Sequence, residues 1–141
     1  MMSIPRVIAV GYDGSRCAQT ALRWSAILAA QIGAEVRLVH AVGILEHAGL
    51  TSVGSVEVSA RQVATEAGLL PEQIRWKPAE GNPVDVLCRE AADGADILVV
   101  GTRGCNSHPG ALLGSTSRNL VGRASVPVVV VPPSAPVVEG S

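Results

Sequence analysis

Short apolar runs alternate with helix-forming segments along almost the whole chain. The runs at 6–11 and 96–100 are nearly continuous in aliphatic residues, which is typical of strands buried on both faces. Further strands are predicted at 35–42, 73–80 and 126–131, and a helix is predicted between each strand and the next. This order predicts an α/β domain with a parallel sheet, helices on both faces and right-handed crossovers.

Capping residues indicate where the first and third predicted helices begin and end. Ser15 is a predicted N-cap, and Gly33 is placed to end the first helix. Asn82 followed by Pro83 is typical of a helix start, and Gly94 is placed as the stop. These signals predict well-defined helices after the first and third strands.

The second and fourth helices carry weaker signals. The pattern predicts a loop over 43–55, a helix over 56–67 and a last helix over 115–124. In the last helix Ser117 is expected to act as a cap or to face solvent. Its inward residues are predicted to be Leu120, Val121 and Ala124.

Length and composition limit the class of protein. The chain of 141 residues suits one domain over 1–132 with a flexible tail at 133–141. Hydrophobic residues make up 48% and aromatic residues 2%, and the net charge is -1. This composition excludes a disordered protein and gives no basic or stacking surface for nucleic acid.

The cysteines and the N-terminal segment indicate the compartment. Cys17, Cys88 and Cys105 are far apart and form no C-x-x-C pair, which argues against a zinc site and favours a reducing compartment. The N-terminus has no apolar segment and the longest apolar runs are strand-sized. We therefore expect a cytoplasmic protein without a membrane span.

A glycine-rich stretch from Gly101 to Thr116 lies between the fourth strand and the last helix. The first amide groups of a helix lack intrahelical partners and carry partial positive charge, so an anion is stabilised there. Glycine permits close backbone approach, and the serine and threonine hydroxyls add donors. Two interpretations remain open from the residues alone, an anion site or an ordinary loop with capping hydroxyls.

Asp13 follows the first strand and has a similar pair of interpretations. Ligands of parallel α/β sheets bind at the carboxyl ends of the strands, where the strand order reverses. If the first and fourth strands meet at this reversal, Asp13 and the glycine-rich stretch face one crevice. Asp13 would then need ribose hydroxyls or a metal beside it, because a carboxylate repels phosphate. The alternative is a turn residue before the first helix.

The spacing Gly101-x2-Gly104-x9-Gly114-Ser115 resembles the G-2x-G-9x-G-[S/T] signature of the ATP-binding branch of the universal stress proteins. The resemblance covers residues 5–132, and four further segments share it: Gly11 to Ser15, His40 to Val42, Gly81 to Pro83 and Val126 to Val130. It implies a five-stranded, flavodoxin-like sheet related to the adenine nucleotide alpha hydrolases, with strand order 3-2-1-4-5. It also implies a homodimer that binds ATP with Mg²⁺ or Mn²⁺.

The same resemblance assigns roles by position. It places Asp13 beside the ribose and the metal-bound phosphates, as a candidate metal ligand, and it includes Gly11 among the nucleotide-binding residues. Backbone at Ala41 or Val42 would contact the adenine edge. The phosphates and ribose would be held by Gly101, Gly104, Gly114, Ser115 and Thr116, with Arg103 as a nearby cation.

Catalytic groups are scarce. Lys77 is the single lysine and lies outside a G-K-[ST] context, no G-x-S-x-G elbow is present, and the histidines have no second ligand at metal spacing. His40 is expected to be a hydrogen-bonded structural residue. We therefore expect no enzyme, or at most a slow, incidental ATPase. An enzyme acting on an adenylated small molecule is suggested by fold analogy alone.

The resemblance thus implies a nucleotide-dependent regulatory dimer of the stress response. The apolar strand 126–131 is expected to pair with its two-fold mate through a free edge. One departure keeps an alternative open: residues 105–113 contain no lysine or arginine. The alternative is a dimeric interaction module of the same fold that binds no nucleotide.

Overall fold

A computed structural model describes residues 4–43, 53–102 and 114–133. Helices and strands alternate through these ranges as the sequence predicts. In chain order they are β1 (Val7–Gly11), α1 (Arg16–Ile32), β2 (Glu35–Val42), α2 (Val53–Glu66), a short 3-10 helix (Pro71–Gln73), β3 (Ile74–Glu80), α3 (Pro83–Ala92), β4 (Ile97–Gly101), α4 (Ser115–Arg123) and β5 (Val128–Val131).

The strands form one sheet in the order β3-β2-β1-β4-β5, and each neighbouring pair is parallel. The chain moves outward from β1 to β3 and then returns to β4 on the other side of β1. Residues Ile8, Ala9 and Val10 pair with Ile97, Leu98 and Val99. The predicted α/β fold and strand order are confirmed, and the carboxyl ends of β1 and β4 lie next to each other.

Aliphatic side chains pack in two clusters, one on each face of the sheet. Leu22 and Leu38 belong to the cluster under α1 and α2, and Leu87, Leu98 and Leu120 belong to the one under α3 and α4. Each of these leucines is at most 1% exposed. Burial of each stabilises the fold by about 1.5–3 kcal/mol, and the two clusters account for the three-layer arrangement.

The predicted helix starts at Ser15 and Asn82 are confirmed. Ser15 Oγ accepts the Ala18 amide at 3.2 Å, and Asn82 Oδ1 accepts the Val84 amide at 2.8 Å. Gly33 ends α1 in the left-handed region at φ +71°, where a side chain is strained. Local chemistry therefore sets the ends of these helices.

Two predicted helix details are wrong. Helix α2 begins at Val53, inside the predicted loop, and the added residues Gly54 and Ser55 are exposed and carry no apolar stripe. Val121 was predicted to face inward but is 56% exposed. Adjacent helix residues lie about 100° apart, so Val121 cannot share the face of Leu120, which is fully buried.

The last strand also begins later than predicted, at Val128 rather than Val126. Pro127 has no N–H group to donate to β4. Its carbonyl nevertheless accepts the Leu98 amide at 3.0 Å. Within the described ranges β5 pairs only with β4, at the edge of the sheet.

Two further observations concern the sequence predictions. Of the predicted tail, only Pro133 falls within the described residues. In the described part of the chain, no helix combines the length and the apolar character that crossing a bilayer requires.

Candidate functional site

The reversal of strand order between β1 and β4 identifies the candidate site. In open parallel sheets such a reversal leaves a crevice at the carboxyl ends of the two strands. The chain enters α1 after β1, and it reaches α4 after β4 and residues 102–114. Each helix follows the carboxyl end of its strand, so both N-termini lie at this edge, although the two helices pack on opposite faces of the sheet.

Gly101, the last residue of β4, lies directly against the first turn of α1. A Cβ atom at this position would lie 2.8 Å from the Cys17 carbonyl oxygen and 2.9 Å from the Cys17 Cβ. The obstacle is backbone, so a side chain could be accommodated only if α1 moved. The packing of β4 against α1 therefore requires glycine at 101, and the predicted approach of Gly101 to a ligand stays a prediction.

Gly11 has a different role from the one expected of a ligand-binding glycine. A Cβ atom here would lie 3.2 Å from Leu87 Cδ1 and 3.3 Å from Val100 Cγ1. Both neighbours belong to the cluster under α3 and α4. The missing side chain of Gly11 thus leaves room for core packing, and its assignment to the ligand stays a prediction.

Asp13 forms a turn at the entry to α1. Its Oδ1 atom accepts the backbone amide of Ser15 at 2.9 Å, which is the turn role considered for this residue. Asp13 is exposed, so its carboxylate is also accessible from solvent. The turn fixes where the carboxylate stands, at the carboxyl end of β1.

Tyr12, the residue before this turn, is held in place by hydrogen bonds to three neighbours. Its amide donates to Val39 O at 2.8 Å, its carbonyl lies 2.8 Å from His40 Nδ1, and its hydroxyl lies 2.7 Å from Ser59 Oγ on α2. Burial raises the pKa of Tyr12 above its usual 10.0, although the hydrogen bond to Ser59 lowers it in part. His40 is 4% exposed, and its structural role is confirmed.

The N-terminus of α4 has no side-chain cap. Its N-cap residue is Gly114, and no side-chain hydrogen bond closes the first turn. Arg118 N donates to Gly114 O at 3.1 Å, so the helical hydrogen bonds begin there. Among the described residues nothing accepts the amides of Ser115, Thr116 and Ser117. Three such donors together with the helix dipole can stabilise an anion.

Thr102 joins the start of α4 to the end of the sheet. Its carbonyl accepts the Gly114 amide and also the Ser117 hydroxyl, the latter at 3.1 Å. Its own amide donates to Val131 O at 3.2 Å. The Thr102 side chain is 9% exposed, and its hydroxyl has no hydrogen-bond partner within the described ranges. The two ends of the segment 103–113 are therefore held together.

Sequence reasoning missed this junction. Ser117 was expected to be a cap or to face solvent, but it is 1% exposed and buried behind α4. The signal was present in the spacing: Ser117, Leu120 and Ala124 follow the three-and-four period of one helix face. Nothing in the sequence pattern marks Thr102.

The remaining predicted site residues are placed as follows. Ala41 and Val42 end β2, are half-buried and pair with Ala79 and Glu80 of β3. Arg103 and Gly104 lie outside the described residues. Among the residues that are described, no group of three or more His, Cys, Asp or Glu side chains is arranged to hold a metal ion.

The arrangement has the chemistry of an anion-binding site. At the start of α4 the first-turn amides have no acceptor among the described residues, Ser115 is exposed and Thr116 is half-buried. The Asp13 carboxylate at the neighbouring strand end suits hydroxyl groups or a cation.

Comparison with known proteins gives a consistent result. Residues 5–132 match the model of the universal stress protein family. The universal stress protein Rv1636 of Mycobacterium tuberculosis is 31% identical, and the match covers 92% of this chain and 98% of that protein. Rv1996 of the same organism is 32% identical, and the match covers 94% of this chain. The chain spans about half, 52%, of the length of Rv1996.

Solved structures agree. A universal stress protein in complex with cAMP superimposes with a TM-score of 0.77 at 31% identity, over 94% of this chain and 100% of that one. The family model, the relatives and the strand order all lead to one conclusion. The chain belongs to the universal stress protein family.

Proposed function

We propose that this chain binds an adenosine nucleotide, ATP with Mg²⁺ or Mn²⁺, and acts as a cytoplasmic, nucleotide-dependent regulatory homodimer of the stress response. The observation that carries the proposal is the uncapped N-terminus of α4 beside Gly101. Helix-start amides that have no acceptor in the protein donate to water or to a ligand. Phosphate is the ligand group that such an end accepts best.

The described residues fit ATP in two ways. The amides of Ser115 and Thr116 supply donors for phosphate oxygens, and the glycine at 101 lets the end of β4 approach the first turn of α1. Asp13 lies at the neighbouring strand end, where it would contact ribose hydroxyls or a phosphate-bound Mg²⁺. Arg103 and Gly104 are proposed to complete the phosphate contacts, and backbone at Ala41 or Val42 to contact the adenine.

The choice among adenosine nucleotides is open to direct comparison. The solved relative in complex with cAMP makes a nucleotide with a single phosphate the main competitor to ATP. Residues 105–113 contain no lysine or arginine, so little side-chain charge is available for a triphosphate. ATP, AMP and cAMP should therefore be titrated in parallel.

We propose that the dimer forms through the segment 126–131, of which residues 128–131 are β-strand. The outer edge of β5 is apolar, and Val121 on the adjacent α4 is an exposed aliphatic side chain. Such edges invite pairing with another strand. Sedimentation at micromolar concentration should give the mass of two chains, and the mass of one chain would contradict the dimer.

Binding should be tested by calorimetry on nucleotide-stripped protein. We expect ATP to saturate at one molecule per chain and to bind more tightly with Mg²⁺. The variants Gly114→Val and Asp13→Ala should fold but lose this binding, and Gly122→Ala should retain it, because an added Cβ there meets nothing within 4 Å. We expect any ATP turnover to be slow.

Two outcomes would count against the proposal. If both site variants bind ATP as the unmodified chain does, the site is wrongly assigned. If the folded dimer binds none of the three nucleotides, the better interpretation is an interaction module that binds no nucleotide, as the absence of basic residues at 105–113 would explain.

A further inference from the structure

The hydroxyl of Ser117 links α4 to the end of β4. Its Oγ atom donates to Thr102 O at 3.1 Å and lies 3.2 Å from Gly114 O, and the side chain is 1% exposed. A serine hydroxyl carries one proton, so this single donor is shared by two carbonyls. The contact joins Thr102, near the start of the glycine-rich stretch, to Ser117, directly after its end.

Ser25 in α1 provides a useful contrast. It is also fully buried, and its hydroxyl donates to Ala21 O at 2.8 Å, one turn earlier in its own helix. That bond is the usual way for a buried helical serine to satisfy its hydroxyl. Ser117 instead spans from helix to strand, so its bond constrains the position of one element against another.

The other attachments of α4 leave its first turn dependent on this contact. Leu120 anchors the middle of the helix in the core, and Arg123 at the far end pairs with Asp85 at 2.8 Å on the exposed surface, a weak link. At the near end the described hydrogen bonds to the strand are those that the Thr102 carbonyl accepts from Gly114 N and Ser117 Oγ.

We infer that Ser117 is a positioning residue for the phosphate group of the nucleotide. Its hydroxyl fixes the first turn of α4 against Thr102 and thereby aims the amides of Ser115 and Thr116 at the crevice. The inference rests on the proposed nucleotide binding. Ser117 itself faces the core and need not contact the ligand.

The test compares Ser117→Ala with Ser25→Ala in the full chain. Each variant deletes one buried helical hydroxyl, but only the first deletion frees the phosphate-binding turn. The Kd for ATP is measured by calorimetry, the Kd for adenosine by displacement of bound ATP, and the Tm of each variant is recorded. Adenosine lacks phosphate, so a defect in amide positioning should not affect it.

We expect Ser117→Ala to weaken ATP binding about fivefold, in line with one net hydrogen bond, and to leave adenosine affinity unchanged. Ser25→Ala should leave both affinities unchanged. If Ser117→Ala does not fold, Ser117→Cys keeps a side chain of similar size with a weak donor, and it should show the same ATP-selective loss.

Four results would overturn the inference. Unchanged ATP affinity in a folded Ser117 variant would show that its hydroxyl positions nothing. Equal weakening of ATP and adenosine, or equal effects of the Ser25 variant, would indicate general loosening of the fold. If the unmodified chain does not bind ATP, the proposed function is rejected as well. This result is distinguished from the others because it is obtained before any variant is made.

Discussion

Two helices begin at the same edge of the sheet, and their first turns are built differently. At α1 side chains supply a cap: Asp13 Oδ1 accepts from Ser15 N, and Ser15 Oγ accepts from Ala18 N. At α4 the N-cap is Gly114, which has no side chain to offer. Equivalent positions in the topology thus differ in one respect: the first turn of α1 has a side-chain cap, and that of α4 has none.

Helix α3 shows that the open end is the exception. It also begins at the carboxyl edge of the sheet, and Asn82 caps it. The missing cap at α4 therefore does not result from its location in the fold. It coincides with the reversal of strand order, where the fold leaves room for a ligand.

The largest expected effect comes from adding a Cβ atom at Gly101, where the end of β4 lies against the first turn of α1. Gly101→Ala would place a Cβ atom 2.8 Å from the Cys17 carbonyl oxygen, so α1 must shift. We expect a loss of about 2–3 kcal/mol in the free energy of unfolding and loss of ATP binding. Urea unfolding and calorimetry measure both.

Gly122→Ala is the matched control for this variant. Nothing lies within 4 Å of the added Cβ, and alanine favours the helix, so stability should stay constant or rise by about 0.5–1 kcal/mol. Equal stability and equal ATP affinity of the two alanine variants would show that the close approach at Gly101 affects neither.

Installing a cap on α4 should remove the difference between the two helices. Gly114 has φ -71° and ψ 167°, angles that suit an N-cap residue of any type. In Gly114→Asp the new carboxylate would accept the first-turn amides and repel phosphate. ATP affinity should fall about tenfold or more, measured by calorimetry. Undiminished affinity would mean that those amides do not hold the phosphate.

Removing the cap on α1 should have a smaller effect, and on stability rather than on binding. Ser15→Ala leaves the Ala18 amide without its acceptor, which should lower the free energy of unfolding by about 1 kcal/mol. Urea unfolding is the appropriate measurement. A loss of ATP affinity as large as that of Gly114→Asp would indicate that both helix starts bind the ligand.

The smallest effect concerns the residue that leads into α1. Tyr12 is the only tyrosine, so tyrosinate absorbance titrates it alone, and its pKa should exceed 10.0 because of burial. A folded-state pKa above the unfolded value favours the fold below pH about 10, and this contribution is lost as pH rises through the folded pKa. Titration at the ordinary value in folded protein would contradict the burial of Tyr12.

Much of this architecture follows from the sequence because local chemistry determines it. Ser15 and Asn82 mark helix starts, and the apolar runs mark buried strands whatever the rest of the chain does. The location of the site could also be predicted, because a strand, a glycine-rich stretch and a helix follow one another at 97–123. Glycine spacing indicates room for an anion, whereas the nucleotide is suggested by the family resemblance.

The missed features depend on tertiary contacts. Thr102 accepts two hydrogen bonds only because the fold brings Gly114 and Ser117 back to it. Val121 was misplaced because a short helix of small residues offers few apolar positions, and its neighbour Leu120 already fills the buried face. The start of α2 was missed because its first residues, Gly54 and Ser55, are exposed and add nothing to the apolar period.

Backbone amide NMR of the isotope-labelled chain tests the central claim most directly. During titration with Mg²⁺ and ATP, the amides of Ser115 and Thr116 should shift saturably and by more than those of Ala18 and Val84, which donate to the capping side chains of α1 and α3. Adenosine should not reproduce these shifts, because it carries no phosphate. If ATP binds to saturation and leaves the Ser115 and Thr116 amides unchanged, the open end of α4 is not the phosphate site.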